Sequence, residues 1–297
     1  MKPVVLLAGG TGGAKLARGL LDQLGPDLVV IANTGDDVET LGAYVSPDPD
    51  LVTFWLADAI DERGWGIDGD TFHGMEQLRA LGEQIWFNLG DRDLAIGLHR
   101  AQRLAAGARL THTIDQLRRA FDVPAQVLVP TDDRLRTFIR SSGRWHPFQE
   151  YMIRIRSPLE DVEYRCEREP RATPEALEAI AAARAIIIGP SNPILSIDPI
   201  LCVLGDALRN ASAPVVAVSP IVGGKILKGP TADCMAWAGR TLDSDGIADH
   251  YEGLIAGLVA DERTDAVTTL ETSVDLSTPE ERRRVARAVL EFATALA

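Results

Sequence analysis

Gly9, Gly10, Thr11, Gly12 and Gly13 follow the apolar run Val4–Ala8 and lead through Lys15 into a segment with apolar residues at Leu16, Leu20, Leu21 and Leu24. The run reads as a buried strand, and Lys15 to Leu24 as a helix. A strand, a glycine turn and a helix leave free backbone N–H groups at a helix N-terminus, where the dipole favours an anion. The chemistry this spacing suits is phosphate binding. Neither common phosphate loop is present, however. A Walker loop needs glycine before its lysine and Ser or Thr after it, and Lys15 stands between Ala14 and Leu16. A dinucleotide fingerprint counted from Gly10 meets Gly12 and then Lys15 where its last glycine belongs. The plainer alternative is a tight turn that only packs helix on strand, although such turns seldom need so much glycine.

Other loops carry further polar groups. Asn33 and Thr34, in NTGDD, offer an amide and a hydroxyl for a base or ribose, or an Asx turn made of the same residue types. GPSNP sets Gly189, Ser191 and Asn192 among prolines that stiffen the loop, so its donors come at little ordering cost. An ordinary rigid turn would use the same residues. Asp48 and Asp50 in SPDPD, and Asp91 and Asp93 around Arg92 in LGDRDLA, suit Mg²⁺, which takes one or two carboxylates with waters and substrate phosphates. Arg92 suits a bidentate clamp on phosphate or carboxylate. Helix caps and a surface ion pair are the alternatives. Trp55, Trp65 and Trp86 could stack on an aromatic ligand, though such residues are more often core.

These residues need elements to position them. Strand and helix signals alternate from the start, with a second strand at Leu28 to Ala32. The stretch from Phe121 to Pro170 reads differently: AQVLVP, LRTFIR and YMIRIR are short, partly alternating and strand-like. The α/β rhythm then returns with a helix capped by Thr173 and opened by Pro174, the strand AIIIG, a helix over Ile200 to Asn210 and the strand in PVVAVSP. A capping box at Thr278 and Glu281 opens a last helix with Val285, Val289, Phe292 and Leu296 on one face. The expectation is an α/β fold: a doubly wound, mostly parallel sheet with helices on both faces, in a single domain over 1–297 with a strand-rich insertion, or an extension of the sheet, at about 121–170. In such sheets ligands sit beyond the C-terminal strand ends. GGTGG, NTGDD, GPSNP and SPIVGG all follow predicted strands, so parallel strands would bring them to one rim.

Composition narrows the function. A net charge of −13 argues against a nucleic-acid or anionic-membrane surface, but not against a local site for a small anion. Cys166, Cys202 and Cys234 lack zinc-ligand spacing and suggest no disulfide framework. No apolar stretch approaches membrane-spanning length, and no signal-peptide pattern opens the chain, so a soluble cytoplasmic protein is expected.

GGTGGAKLARGL, NTGDD, SPDPD, RGWGIDGDTF, LGDRDLA, GPSNPILSIDPIL and VAVSPIVGG, in this order, resemble the 2-phospho-L-lactate transferase family of coenzyme F420 biosynthesis. The resemblance implies transfer of a phosphorylated three-carbon acid from its guanosine diphosphate derivative to the ribityl hydroxyl of Fo, a deazaflavin, with release of GMP. It implies Mg²⁺ as cofactor and a homodimer. Asp50 and Arg92 match the family's Fo-contacting positions, and Asp50 is expected to hold the metal or orient the hydroxyl. Gly9, Gly10, Thr11, Gly12, Gly13 and Lys15, with Asn33, Thr34, Gly189, Ser191, Asn192 and Ser219, would hold the guanosine and its phosphates. Hydroxyl attack on a pyrophosphate asks for charge neutralisation and in-line placement, which agrees with the lack of a Ser–His or Cys–His signature. The run TTLETSVDLSTPEERRR departs from the family's pattern, and no site residue is taken from it.

Two rivals make different demands. A non-enzymatic regulator that binds nucleotide sugars or dinucleotides shares GGTG but would ignore Fo. A nicotinamide dehydrogenase would have glycine where Lys15 stands and an acidic residue where Asn33 stands.

Overall fold

The computed structural model describes residues 2–155, 157–226 and 229–297. The chain begins β1 (Val4–Ala8), α1 (Gly10–Leu24), β2 (Leu28–Ala32), β3 (Val38–Thr40), β4 (Ala43–Val45), α2 (Pro47–Leu56), α3 (His73–Ala80), α4 (Asp91–Ala105), α5 (Leu110–Ala120) and β5 (Gln126–Leu128). Then come β6 (Arg136–Ser141), β7 (Arg144–Pro147), the short turn α6 (Phe148–Glu150) and β8 (Asp161–Arg165). It continues with α7 (Pro174–Ala182), β9 (Ala185–Ile188), α8 (Asp198–Arg209), β10 (Val215–Val218), β11 (Ile221–Val222) and β12 (Lys225–Ile226). It ends with α9 (Thr231–Trp237), α10 (Ser244–His250), β13 (Gly257–Ala260), β14 (Thr269–Glu271) and α11 (Pro279–Ala295).

Seven parallel strands run in the order β14-β13-β10-β9-β1-β2-β5. The five inner strands are buried throughout, as a parallel sheet covered on both faces requires. Val4, Leu6 and Ala8 join one core with residues of α1, α2, α5 and α11. Val5 and Leu7 point the other way, into a core with α7, α8, α9 and α10. The sheet is therefore doubly wound. The chain winds outward from β1 to β2 and β5, returns to β9, and winds outward again on the other side. The crevice beyond β1 and β9 is the switch point, where such sheets take their ligands. Thr278 caps α11 through the Glu281 N–H, and Thr173 caps α7 through the Ala176 N–H, as their sequences predict.

Two local expectations are corrected, and one open alternative is decided. The helix expected from Lys15 starts at Gly10, so most of the glycine stretch is helical rather than loop. Of the two readings of the middle stretch, AQVLVP takes the sheet extension: it supplies β5, an edge strand of the main sheet. The antiparallel insertion is the sheet β7-β6-β8. YMIRIR is not a strand over its described part: Tyr151–Ile155 is a π-helical turn, and Arg156 lies outside the described residues. Phe148 and Met152, and Tyr151 and Ile155, stand four apart and pack on one core, so helical spacing outweighs the β-branched composition.

Candidate functional site

The loops after β1 and β9 meet at the switch point. A Cβ on Gly12 would lie 2.0 Å from the Pro190 carbonyl oxygen, and one on Gly13 would lie 2.8 Å from Ser191 Oγ. Glycine is required here because the GPSNP backbone presses directly on the first turn of α1. The Gly9 N–H donates to Ser191 Oγ (3.3 Å), and the Gly10 N–H donates to Asp48 Oδ1 (2.6 Å). Asp48 comes from the first turn of α2, so a carboxylate already sits on the positive end of α1.

Beside this junction lies a cavity of about 350 Å³. Gly9, Gly10, Thr11, Gly12 and Lys15 line it, with Ser191, Asn192 and Ser219 from the loops after β9 and β10. Gly13 and Gly189 stand behind the wall, where Gly189 packs on the Leu7 carbonyl and Gly13. Asn33 is fully buried and works on protein groups. Its Nδ2 donates to Asp36 Oδ1 (2.9 Å) and Asp48 Oδ2 (3.0 Å), and its Oδ1 accepts from the Gly35 N–H (2.8 Å). Thr34 is buried beside it and its Oγ1 has no protein partner. Asn192 caps the next turn, accepting from the Ile194 and Leu195 N–H groups, and donates to Thr231 Oγ1 (3.2 Å).

Asp50 and Arg92 both lie outside this lining. Asp50 accepts from both terminal nitrogens of Arg100, one at 3.0 Å, and Arg100 also donates to the Tyr44 carbonyl (3.0 Å). Arg100 is only 1% exposed, and its Nε has no partner. Next to this pair, Asp37 accepts from Tyr44 Oη (2.9 Å) and Ser46 Oγ (2.7 Å), while Arg136 donates to Tyr44 Oη (2.8 Å). Arg92 is exposed at the start of α4 and donates to the Asp68 carbonyl (3.0 Å). Asp70 accepts from the Arg92 and Asp93 N–H groups, so it caps α4. Asp91 serves α3, accepting from the His73 (3.0 Å) and Gly74 (2.8 Å) N–H groups.

Burial dominates the electrostatics. It raises Asp36 well above the usual carboxylate range, helped by repulsion from Asp48. It raises Asp48 and Asp37 each to about 6. Asp93 rises to about 7 through burial and then repulsion from Asp50. Among the described residues, no three His, Cys, Asp or Glu side chains cluster to hold a metal. The donor set still fits Mg²⁺, which needs one or two carboxylates and takes water and phosphate for the rest. The buried pair Asp36 and Asp48 would be stabilised by a cation bound beside it, and Asp36 lines the cavity. Asp50 keeps lone pairs beyond those Arg100 uses.

Several site residues escape the sequence reading. Arg100 occupies an inward position of α4, one turn beyond buried Gly97, where the apolar period leaves room for a core side chain. An arginine at such a position is the signal. Val274 to Ser277, in the run that departs from the family pattern, also line the cavity, as do Phe148 and Met152 beside the insertion. The strand-rich middle therefore contributes to the site.

Fold and cavity together define a doubly wound α/β protein with a small-molecule site at its switch point, one end made of helix-terminal backbone. The chain belongs to the 2-phospho-L-lactate transferase CofD family, whose pattern matches residues 4–288. This is a family of transferases. A phosphoenolpyruvate transferase of Streptomyces coelicolor is 38% identical, over 91% of this chain and 89% of its own. A 2-phospho-L-lactate transferase of Methanospirillum hungatei is 34% identical, over 97% and 99%. A solved UPF0052-family protein of Bacillus halodurans covers 98% of this chain and 100% of its own at a TM-score of 0.62, and at 17% identity it shows the fold alone. No described helix is long and apolar enough to cross a membrane.

Proposed function

We propose that this chain transfers a phosphorylated three-carbon acid (phospholactyl, phosphoenolpyruvyl or phosphoglyceryl) from its guanosine diphosphate derivative to the ribityl hydroxyl of Fo. The hydroxyl oxygen bonds to the phosphorus that carries the acid, the bond to GMP breaks, and the hydroxyl proton is lost. F420-0 or dehydro-F420-0 is the product. The observation that carries this reading is the junction at the switch point: glycine-built backbone at the α1 N-terminus, hydroxyls of Ser191 and Ser219, and Lys15 line one cavity. That end suits the donor's phosphates. Asp50, fixed by Arg100, and Arg92 are the groups proposed to meet the acceptor, with Asp50 orienting the hydroxyl. Mg²⁺ would be held by Asp50 or by the Asp36–Asp48 pair, and would neutralise phosphate charge there. We further propose a homodimer working in the cytoplasm.

The test is a mass-spectrometric assay of the purified chain with Fo, Mg²⁺ and each guanylylated acid in turn. An F420-type product with stoichiometric GMP is expected, and the best donor identifies the acid. No product with any donor, from a folded chain that also fails to bind Fo, would leave the nucleotide-binding regulator.

A further inference from the structure

Trp65 lines the cavity yet is 60% exposed, a placement that core packing does not explain. The turn that presents it is well constructed. Ile60 and Ile67 pair across its base. Gly64 takes a φ of 83°, the left-handed region that favours glycine. The Asp61 carboxylate accepts from the Gly64 N–H (2.9 Å), the Trp65 N–H (3.4 Å) and Arg63 Nε (2.7 Å). Trp55 Nε1 donates to the Gly64 carbonyl (3.4 Å), which ties the turn to α2. A fixed scaffold thus holds an indole out at the cavity. Phe148, Met152, Leu195, Val222 and Ile226 line the same cavity and give it apolar surface beside its glycines.

We infer that Trp65 is the stacking platform for the flat tricyclic ring of the acceptor, and so a determinant of acceptor specificity. This rests on the transferase reading. A phosphate-bearing donor is served by helix-terminal amides, whereas a flat aromatic ring system needs apolar contact and a π face. A rigid indole supplies both at little ordering cost.

The experiment is a fluorescence titration of Fo with Mg²⁺ and no donor, followed by steady-state kinetics, for the wild-type chain, Trp65→Ala and Trp65→Phe. Stacking on one aromatic side chain corresponds to about a 5- to 150-fold change in affinity. Trp65→Ala should therefore raise the Kd and KM for Fo about tenfold or more, with kcat and the donor KM within about twofold of wild type. Trp65→Phe should recover most of the loss. Circular dichroism checks that both variants are folded. Unchanged Fo affinity in a folded Trp65→Ala chain that still makes product overturns the inference and leaves the transferase reading standing. A rise in the donor KM alone overturns it too, by moving the stack to the guanine. A wild-type chain that neither binds Fo nor makes product overturns both.

Discussion

Around the α1 N-terminus the site is made of backbone: Gly9 and Gly10 present amides, Gly12 admits the Pro190 carbonyl, and Ser191 closes the junction. Around Asp50 it is made of charged side chains buried in pairs, with Arg100, Asp37 and Arg136 in one network. The two regions meet at Asp48 and Asn33. A backbone wall stands or falls on close approach. A wall of buried charges depends on each partner being present, because a lone buried charge is costly.

The largest expected effect tests that dependence. Arg100→Met and Asp50→Ala should each destabilise the fold by about 3–5 kcal/mol, since each leaves a buried charge unpaired. Urea unfolding measures this. The double variant Asp50→Leu/Arg100→Met should regain much of the stability but no activity. A single variant that costs less than about 1 kcal/mol would show that the pair is not the support of this wall.

Arg92 stands apart from that network, exposed at the start of α4, where it donates to the Asp68 carbonyl. Arg92→Ala should leave the urea midpoint unchanged and lower kcat/KM well over tenfold, the loss of one charge-assisted contact worth about 2–4 kcal/mol. A wild-type rate would remove Arg92 from the site. The contrast with Arg100 separates function from support: one arginine should affect rate without stability, the other both.

The backbone wall was the more legible in sequence. Gly9 to Gly13 and GPSNP announce themselves by composition and by following strands, and parallel β1 and β9 bring them together as expected. Their roles were less legible. Gly12 and Gly13 serve the approach of another loop, and Asn33 holds two carboxylates, because a lone amide does not reveal what it will face. The charged wall was only half legible: Asp50 was singled out, and the inward position of Arg100 on α4 was a signal without a named partner. What Arg100 pairs with appears only when the fold places Asp50, fifty positions away, against it. YMIRIR misled because its apolar residues satisfy two periods at once.

Gly12→Ala tests the backbone wall by itself. Its Cβ would meet the Pro190 carbonyl at 2.0 Å, so one loop must move. Overpacking of this kind costs about 1–3 kcal/mol. If the junction also shapes the donor site, the donor KM should rise at temperatures where the variant remains folded, with Fo affinity unchanged. Equal losses in both substrates would show a general loosening rather than a local wall.

The smallest effect separates the walls by pH. Burial raises Asp37 to about 6, above the value it has in the unfolded chain. Its favourable contribution is then complete below the unfolded value and is lost as pH rises through about 6. Asp48 and Asp93 push in the same direction. Carboxylates held low by partners, such as Asp133 by Arg168 and Asp243 by Thr241, are ionised in both states above about pH 5 and add no slope there. Stability should therefore fall between about pH 5 and 7, with Asp37 contributing at most one proton, about 1.4 kcal/mol per pH unit. Asp37→Asn keeps an acceptor for Ser46, and the Tyr44 hydroxyl can turn from donor to acceptor. Urea unfolding at pH 5, 6 and 7 should show a shallower slope in Asp37→Asn and an unaltered slope in Gly12→Ala. Identical slopes in wild type and Asp37→Asn would mean that Asp37 is hydrated in the folded chain, and that the charged wall is more open than its hydrogen bonds suggest.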